Sequence, residues 1–153
     1  VIDEKTLRKI VLSYGGDENV GASARLYLNK SDLIAFGDVR GSDKKPVYEI
    51  TPDAGNPNTG IIKDGGLAVP YTINSNLTAL AGTAQSSTAV INTMVYGDPM
   101  NYELGLFGDY VIEVSKDYKF AEGLLTVMGE VLAGGNLIKH NGFLVCQIAK
   151  GTA

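Results

Sequence analysis

Tryptophan is absent from the sequence, and histidine and cysteine occur once each, as His140 and Cys146. A structural zinc site needs about four nitrogen or sulfur ligands, and these two residues supply two at most. A disulfide within the chain is excluded because a single cysteine has no partner. No apolar run approaches the roughly 18 residues of a membrane span, and no signal-peptide pattern opens the sequence. We therefore expect an intracellular, soluble protein.

Neither sign of charge dominates, because 13 basic and 17 acidic residues give a net charge of −4. Proteins that bind nucleic acid concentrate lysine and arginine in a patch that displaces counterions. No such cluster is present, so we expect no specific contact with DNA. Glycine, in contrast, is abundant, with 19 of 153 residues, against an average of about 7%. This excess indicates many turns and bent strands.

The first sixteen residues predict an amphipathic helix. Asp3 is placed to cap its first turn, Ile2 and Leu7 are spaced as a hydrophobic staple, and Gly15 follows the last apolar position. One face of this helix is apolar at intervals of three and four residues, and needs a partner surface. Its stripe consists of Leu7, Ile10, Val11 and Tyr14.

The segment up to residue 74 alternates between strands and turns. Residues 23–29 predict a strand, and 30–38 a two-turn helix capped by Asn29 or Ser31 and stopped at Gly37. Residues 46–50 predict a strand, and 51–60, rich in proline, glycine and asparagine, a long turn. Two apolar runs around Asp64-Gly65 predict a hairpin. Pro70 in the second run suits an edge or a bulge.

The remainder predicts β-structure after a flexible surface loop over 77–89. Strands are expected in 90–97, 110–115, 124–134 and 142–150, with turns at Gly134-Gly135 and Asn141-Gly142. Residues 120–132 are also compatible with a helix, but their glycines favour a bent strand. Helices thus come first and antiparallel strands dominate later. This order predicts an α+β domain rather than an alternating βαβ sheet.

No arrangement of residue types favours catalysis. A buried, inert thiol is the ordinary interpretation of Cys146, and a solvated turn residue that of His140. Phosphate loops place glycines before a helix, whereas here a helix precedes the glycines. A carboxylate pair would require an arbitrary choice, such as Glu113 with Glu122 or Glu130. We expect no enzyme activity, no cofactor, no metal site and no small-molecule substrate.

The stretch GDVRGSDKKPVYEI at 37–50 is the most charged turn of the chain. Its aspartates and Asp53 suggest a calcium loop, but the basic residues beside them would repel a cation. We interpret it as a rigid, self-compensating turn that contacts a neighbouring copy of the chain. The candidate contact residues, which include one from the loop over 77–89, are Asp38, Arg40, Asp43, Lys44, Lys45 and Gln85.

The order of motifs LRKIVLSY, ARLYLNKSDLIAFGDVRGSDKKPVYEI, GIIKDGGLAVPYT and MVYGDPMNYELGLFGDYVIEVSKDYKF resembles the C-terminal half of a tailed-bacteriophage major capsid protein of the Hong Kong 97 type. The resemblance implies a structural subunit that assembles into the pentamers and hexamers of an icosahedral head. Such a shell encloses DNA without binding it specifically. The localisation implied is the virion capsid, assembled in the cytoplasm of a bacterial host.

The resemblance also implies a division of the chain. Residues 1–97 correspond to a wedge-shaped axial domain with a mixed or antiparallel sheet, and 98–153 to a β-rich region returning toward the peripheral domain. Two other functions remain open. An encapsulin-like nanocompartment shell would have the same fold, and a small carbohydrate-binding or hydrolase module would need a cleft with paired carboxylates and an aromatic platform.

Overall fold

The computed structural model describes residues 1–14, 23–84, 89–115 and 117–149. Two α-helices lie in these ranges, α1 (Thr6–Ser13) and α2 (Lys30–Asp38). Eight strands complete the regular structure, with one-turn 3₁₀ helices at Pro99–Asn101 and Phe120–Glu122. The strands are β1 (Arg25–Leu28), β2 (Glu49–Asp53), β3 (Asn56–Asp64), β4 (Leu67–Ile73), β5 (Ile91–Gly97), β6 (Tyr102–Ser115), β7 (Thr126–Leu137) and β8 (Phe143–Ile148). The predicted α+β class is confirmed.

Six strands form one mixed sheet in the order β2-β3-β4-β1-β5-β8. The β1–β4 pair is parallel and the other neighbours are antiparallel. Side chains alternate between the two faces of a strand, so directly paired residues share a face. Leu26 is paired with both Tyr71 and Tyr96, and all three are buried. The register therefore builds one apolar face across the middle of the sheet.

The core lies in the part of the chain that carries this sheet. Helix α1 contributes Leu7, Ile10 and the adjoining Tyr14 to the buried cluster, as its spacing predicts. Edge-to-face ring contacts join Tyr14 to Tyr96, with centroids 5.3 Å apart, and Phe36 of α2 to Tyr48, with centroids 5.1 Å apart. Such aromatic pairs add to the apolar burial and fix ring orientation.

The start of α1 differs from its prediction in one detail. The N-cap position is Lys5, whose side chain makes no capping bond. Asp3 lies two residues before this N-cap, and its Oδ1 accepts hydrogen bonds from the Lys5 N–H at 2.9 Å and the Thr6 hydroxyl at 2.8 Å. These bonds order the turn that precedes the helix. The predicted stop at Gly15 lies outside the described residues.

The predicted stop of α2 is displaced, whereas its cap is as expected. Asn29 caps the helix by accepting from the Ser31 N–H at 3.1 Å. Gly37 was expected to end α2, but it lies inside the helix, which continues to Asp38 and ends at Val39. Asp38 and Val39 keep ordinary negative-φ conformations, so the left-handed stop that a glycine supplies is not used here.

The long turn predicted over 51–60 is wrong. Residues 51–53 finish β2 and Asn56 begins β3, so only Ala54 and Gly55 form the reversal. Gly55 has a φ of +82°, which a glycine adopts without strain. Pairing with β3 holds the polar residues of 51–53 in extended conformation, because an edge strand tolerates them. Cross-strand pairing therefore outweighs the local turn propensity.

Pro70 does not lie at an edge of the sheet as predicted. It belongs to β4, which has β3 on one side and β1 on the other. The pairing with β1 covers only residues 71–73 of β4. Pro70 lies just before this paired section, so its missing N–H removes no bond of the β1–β4 ladder. The hairpin predicted around Asp64-Gly65 is confirmed, with Gly65-Gly66 as its turn.

The contacts divide the chain into two units. One unit comprises Val1–Asn101 and Lys139–Ala153, and the other Tyr102–Ile138. The second unit is built on an antiparallel ribbon of β6 and β7. Strand β8 belongs to the six-stranded sheet, beside β5. The assignment of 1–97 and 98–153 to an axial and a peripheral region remains a prediction.

The turn predicted at Gly134-Gly135 is wrong, because both residues lie inside β7 and pair with Gly105 and Leu104. The Phe107 ring lies over Gly134 and Gly105, and the Tyr102 ring over Gly135. An aromatic ring laid across a glycine supplies the side-chain contact that the glycine lacks in a strand. The turn at Asn141-Gly142 is confirmed, and Asn141 has a φ of +54°.

Candidate subunit-contact surfaces

The charged turn after α2 is closed by its own backbone. Gly41 N–H donates to the Lys45 carbonyl at 2.9 Å, and Lys44 N–H to the Gly41 carbonyl at 2.9 Å. Arg40 and Pro46 form an isolated antiparallel bridge at its base. Lys44 lies at a φ of +64°, which is unusual for a residue with a side chain. The turn is therefore a defined structure that presents its side chains outward.

Four of the six predicted contact residues lie in this turn, Asp38 is the last residue of α2 before it, and Gln85 lies outside the described residues. Arg40 Nη1 donates to the Gly37 carbonyl at 2.6 Å, which folds the guanidinium back over the end of α2. Lys45 Nζ lies 3.7 Å from Asp43 Oδ2, and both side chains are exposed. An exposed pair of this kind contributes little to stability. Its charges remain accessible to another molecule.

Polar side chains at the start of α2 anchor the loop that follows β4. Asp32 is fully buried, and its two carboxylate oxygens accept the Ala81 N–H at 2.7 Å and the Leu80 N–H at 3.0 Å. Asn29 Nδ2 donates to the Leu77 carbonyl at 2.8 Å. All three hydrogen bonds are made with backbone atoms of the loop, and none of them involves a side chain of the loop. The loop's position is thus set by α2, a function of Asp32 that the sequence analysis did not identify.

The residues considered for chemistry are dispersed. His140 is exposed in the turn before β8, and Glu113, Glu122 and Glu130 are exposed in the second unit. Burial raises the pKa of the Cys146 thiol, so the thiol is protonated and a poor nucleophile at neutral pH. Within the described ranges, no group of three or more histidine, cysteine, aspartate or glutamate residues is arranged to hold a metal ion.

In the described parts of the chain, no helix is both long enough and apolar enough to span a membrane.

The ribbon of β6 and β7 has two chemically different faces. Pairing Tyr102 with Leu137, Leu104 with Gly135 and Ile112 with Gly129 assigns alternate residues to one face. Among its paired residues, that face, which we call the uncharged face, carries no carboxylate and no cationic side chain. Its large side chains are all about half exposed or more, and they are Tyr102, Leu104, Leu106, Ile112, Val114, Val127, Val131 and Leu137.

The opposite face of the ribbon, which we call the acidic face, mixes apolar side chains with three glutamates. Val111 is paired with Glu130 and Met128 with Glu113, while Glu103 lies farther along the same face. The register shifts between Phe107 and Val111, where β6 carries more residues than β7 opposite it. Three residues of β6 oppose one of β7 here, an excess of two, so even-numbered residues of β6 lie on the uncharged face on both sides of the irregularity.

Comparison with known proteins identifies a structural likeness without a sequence match. No protein-family model matches the chain, and no curated protein matches it in sequence. A chain in the solved structure "Capsid of empty GTA particle computed with C5 symmetry" superposes with a TM-score of 0.61 at 16% identity. The match covers 95% of this chain and 44% of that chain. The matched part of this chain therefore has a fold found in a capsid chain, and the match spans less than half of that chain's length.

Proposed function

We propose that residues 1–153 form part of the structural subunit of an icosahedral, phage-type capsid. The observation that carries this proposal is the superposition of 95% of the chain on a capsid chain from a GTA particle. A function in assembly agrees with the dispersal of the titratable residues and with the apolar surface that the ribbon exposes. A structural subunit acts through contacts with its neighbours and needs no reacting group.

The finer features of the proposal follow the motif resemblance. The fold is of the Hong Kong 97 type, with residues 1–97 in the axial domain and 98–153 in a β-rich region that returns toward the peripheral domain. Copies associate into pentamers and hexamers that close a shell in the host cytoplasm. The shell encloses DNA without specific contacts, in keeping with a net charge of −4. Interfaces of roughly 800 Å² per partner, repeated by symmetry, suffice to hold such a shell together.

Electron microscopy of the full-length protein to which residues 1–153 belong tests this function. Closed particles of uniform diameter are the expected result, and dispersed single chains at high concentration would overturn the proposal.

The contribution of the charged turn is tested by reversing its exposed charges. The double variant Arg40→Glu/Lys44→Glu should lower the yield of particles at least about tenfold, because opposed charges across an interface suppress association. The control, Lys5→Glu/Lys30→Glu, makes the same change in net charge at exposed positions outside the turn. Equal yields from the two double variants would show that the turn is not a subunit contact.

A further inference from the structure

The turn between β7 and β8 carries the one Asn-Gly pair of the sequence, Asn141-Gly142. An asparagine loses its side-chain amide when the backbone nitrogen of the next residue attacks the side-chain carbonyl carbon and closes a cyclic imide. A glycine in the second position favours this attack, because it has no Cβ to crowd the approach and its backbone turns freely. Whether an asparagine reacts then depends on how its side chain is held in the fold.

Hydrogen bonding divides the asparagines of the described residues into two groups. Most of their side chains are held in place, as where Asn29 Oδ1 and Asn74 Oδ1 accept backbone N–H groups. The asparagines whose side chains make no hydrogen bond in the described ranges are Asn58, Asn76 and Asn141. Thr59 and Leu77 follow the first two, and Gly142 follows the third. Asn141 alone in this group combines an unrestrained amide with an unhindered neighbour.

Asp64-Gly65 has the opposite combination and shows that a following glycine is not sufficient. Nothing lies within 4 Å of the position that a Cβ would take at Gly65. The buried carboxylate of Asp64, however, is held by Arg8, whose Nη2 lies 2.7 Å from Oδ1 and whose Nε lies 2.7 Å from Oδ2. Turning this carboxyl group toward the Gly65 nitrogen would leave a buried charge without its partner, which is strongly unfavourable.

Gly142 is held firmly at its carbonyl and weakly at its nitrogen. Its N–H donates to the Lys139 carbonyl at 3.2 Å, the long end of the normal range, so little free energy is needed to release the nitrogen. Its carbonyl accepts the Tyr14 hydroxyl and Asn101 Nδ2, each at 3.0 Å. A Cβ on Gly142 would lie 2.8 Å from the Asn101 Cβ. We call Tyr14, Asn101 and Gly142 the Gly142 cluster.

We propose that Asn141 is a site of spontaneous deamidation, at which the chain alters its own backbone beside the Gly142 cluster. The Gly142 nitrogen gives up its proton and bonds to Asn141 Cγ, while the C–N bond of the side-chain amide breaks and its NH₂ leaves with a proton as ammonia. Water then opens the cyclic imide at either carbonyl, which yields aspartate or isoaspartate. Water is the co-reactant, and nothing is oxidised or reduced. The inference does not depend on the proposed function.

Isoaspartate changes the surroundings of Gly142, whereas aspartate does not. In isoaspartate the main chain passes through the former side chain, which adds a CH₂ group between the Cα of residue 141 and the Gly142 nitrogen. The longer turn cannot close with the Gly142 carbonyl still between Tyr14 and Asn101, because the close approach of Asn101 leaves Gly142 no room to shift. We therefore expect isoaspartate to loosen the Gly142 cluster. Aspartate keeps the backbone unchanged and alters only an exposed side chain.

The site is tested by incubating the full-length protein, to which residues 1–153 belong, at mildly alkaline pH under native conditions. Peptide mapping by mass spectrometry follows the conversion of each asparagine with time. Asn58 and Asn76 are internal references, because their side chains also make no hydrogen bond but their neighbours carry side chains. Asn141 should convert at least about tenfold faster than either, with isoaspartate among its products. An intact Asn141, or equal rates at the three positions, would overturn the proposal.

Two variants of residue 141 separate the effect of the new charge from that of the longer backbone. Asn141→Gly adopts a positive φ and has no amide to lose, so its melting temperature should stay constant during incubation. Asn141→Asp, freshly prepared, carries the charge on an unaltered backbone and should melt with the unincubated wild type. The isoaspartate form of the wild type should melt at least about 2 °C lower. An isoaspartate form with an unchanged melting temperature would refute the effect on the Gly142 cluster.

Discussion

Single buried polar side chains fix the position of loops in this protein. Asp32 accepts two backbone N–H groups of the loop after β4, and each of its oxygens receives one. A carboxylate suits this task because it is acceptor-only when ionised. The sequence does not reveal such a residue, since an aspartate in the first turn of a helix is ordinarily interpreted as a complement to the helix dipole.

Substitution of Asp32 tests this function of the residue. Asp32→Asn replaces one acceptor with an NH₂ donor that faces a backbone donor, and leaves a buried N–H without a partner. We expect a loss of about 1–3 kcal/mol in the free energy of unfolding, measured by urea denaturation. The control, Asp38→Asn, lies on the same helix at an exposed position and should change stability by less than about 0.5 kcal/mol. Equal losses in the two variants would refute this interpretation.

At the scale of one element, the start of α1 depends on a titratable group. The Thr6 hydroxyl and the Lys5 N–H donate to the Asp3 carboxylate and lower its pKa. A group whose pKa is lower in the folded state stabilises the fold above its unfolded pKa, near 3.9, and loses this contribution as the pH falls through the folded pKa. The contribution is therefore fully present at neutral pH.

Removal of the Thr6 hydroxyl should raise the pKa of Asp3. Thr6→Val keeps the shape of the side chain and deletes the donor, so NMR titration should place the Asp3 pKa nearer to its usual value of 3.8. Thr6→Val should be less stable than the wild type at pH 7, and the difference should shrink in acid, where Asp3 is protonated in both proteins. Thr6→Ser restores a hydroxyl and should restore the low pKa. An Asp3 pKa that does not respond to Thr6→Val would contradict this account.

The elements that could be predicted are those with a strong local sequence pattern, such as helical spacing or a capping residue. The spacing of Leu7 and Ile10 identified the buried side of α1, and Asn29 identified the start of α2. The Pro- and Gly-rich residues of 51–60 and Gly134-Gly135 were assigned to turns, yet they lie largely in strands. Pairing with a neighbouring strand stabilises them in extended conformation, and this contribution cannot be seen in a local window.

The charged turn was located correctly from its sequence, and its function in subunit contact remains a prediction. The uncharged face was not recognised, because only residues 110–115 of β6 were expected to be a strand. Even-numbered residues of β6 lie on this face on both sides of the irregularity between Phe107 and Val111. The full extent of the face follows from the pairing with β7, which begins at Tyr102, before the predicted strand.

At the scale of the whole molecule, the core and the ribbon belong to different units. The buried cluster is drawn from residues outside 102–138. The two chain segments of the first unit are joined by hydrogen bonds near residues 101 and 142. Asn101 Nδ2 donates to the Gly142 carbonyl at 3.0 Å and to the Tyr14 hydroxyl at 3.0 Å. The six-stranded sheet therefore does not need the ribbon to close its core.

A deletion tests the independence of the first unit. Replacing residues 102–138 with a short glycine linker should leave a cooperatively unfolding protein with an intact near-ultraviolet dichroism spectrum. Loss of cooperative unfolding would show that the sheet depends on the ribbon, and the two units would then be one folding unit.

The sequence by itself determined the α+β class, the positions of the helices and the location of the charged turn, because helical spacing, capping residues and turn residues act over a few positions. The tertiary structure decided that β8 lies beside β5, that Asp32 holds the loop after β4, and that the paired residues on one face of the ribbon carry no charge. Each of these depends on residues that are far apart in the chain. Register and strand order arise from such long-range pairing, which no local period encodes.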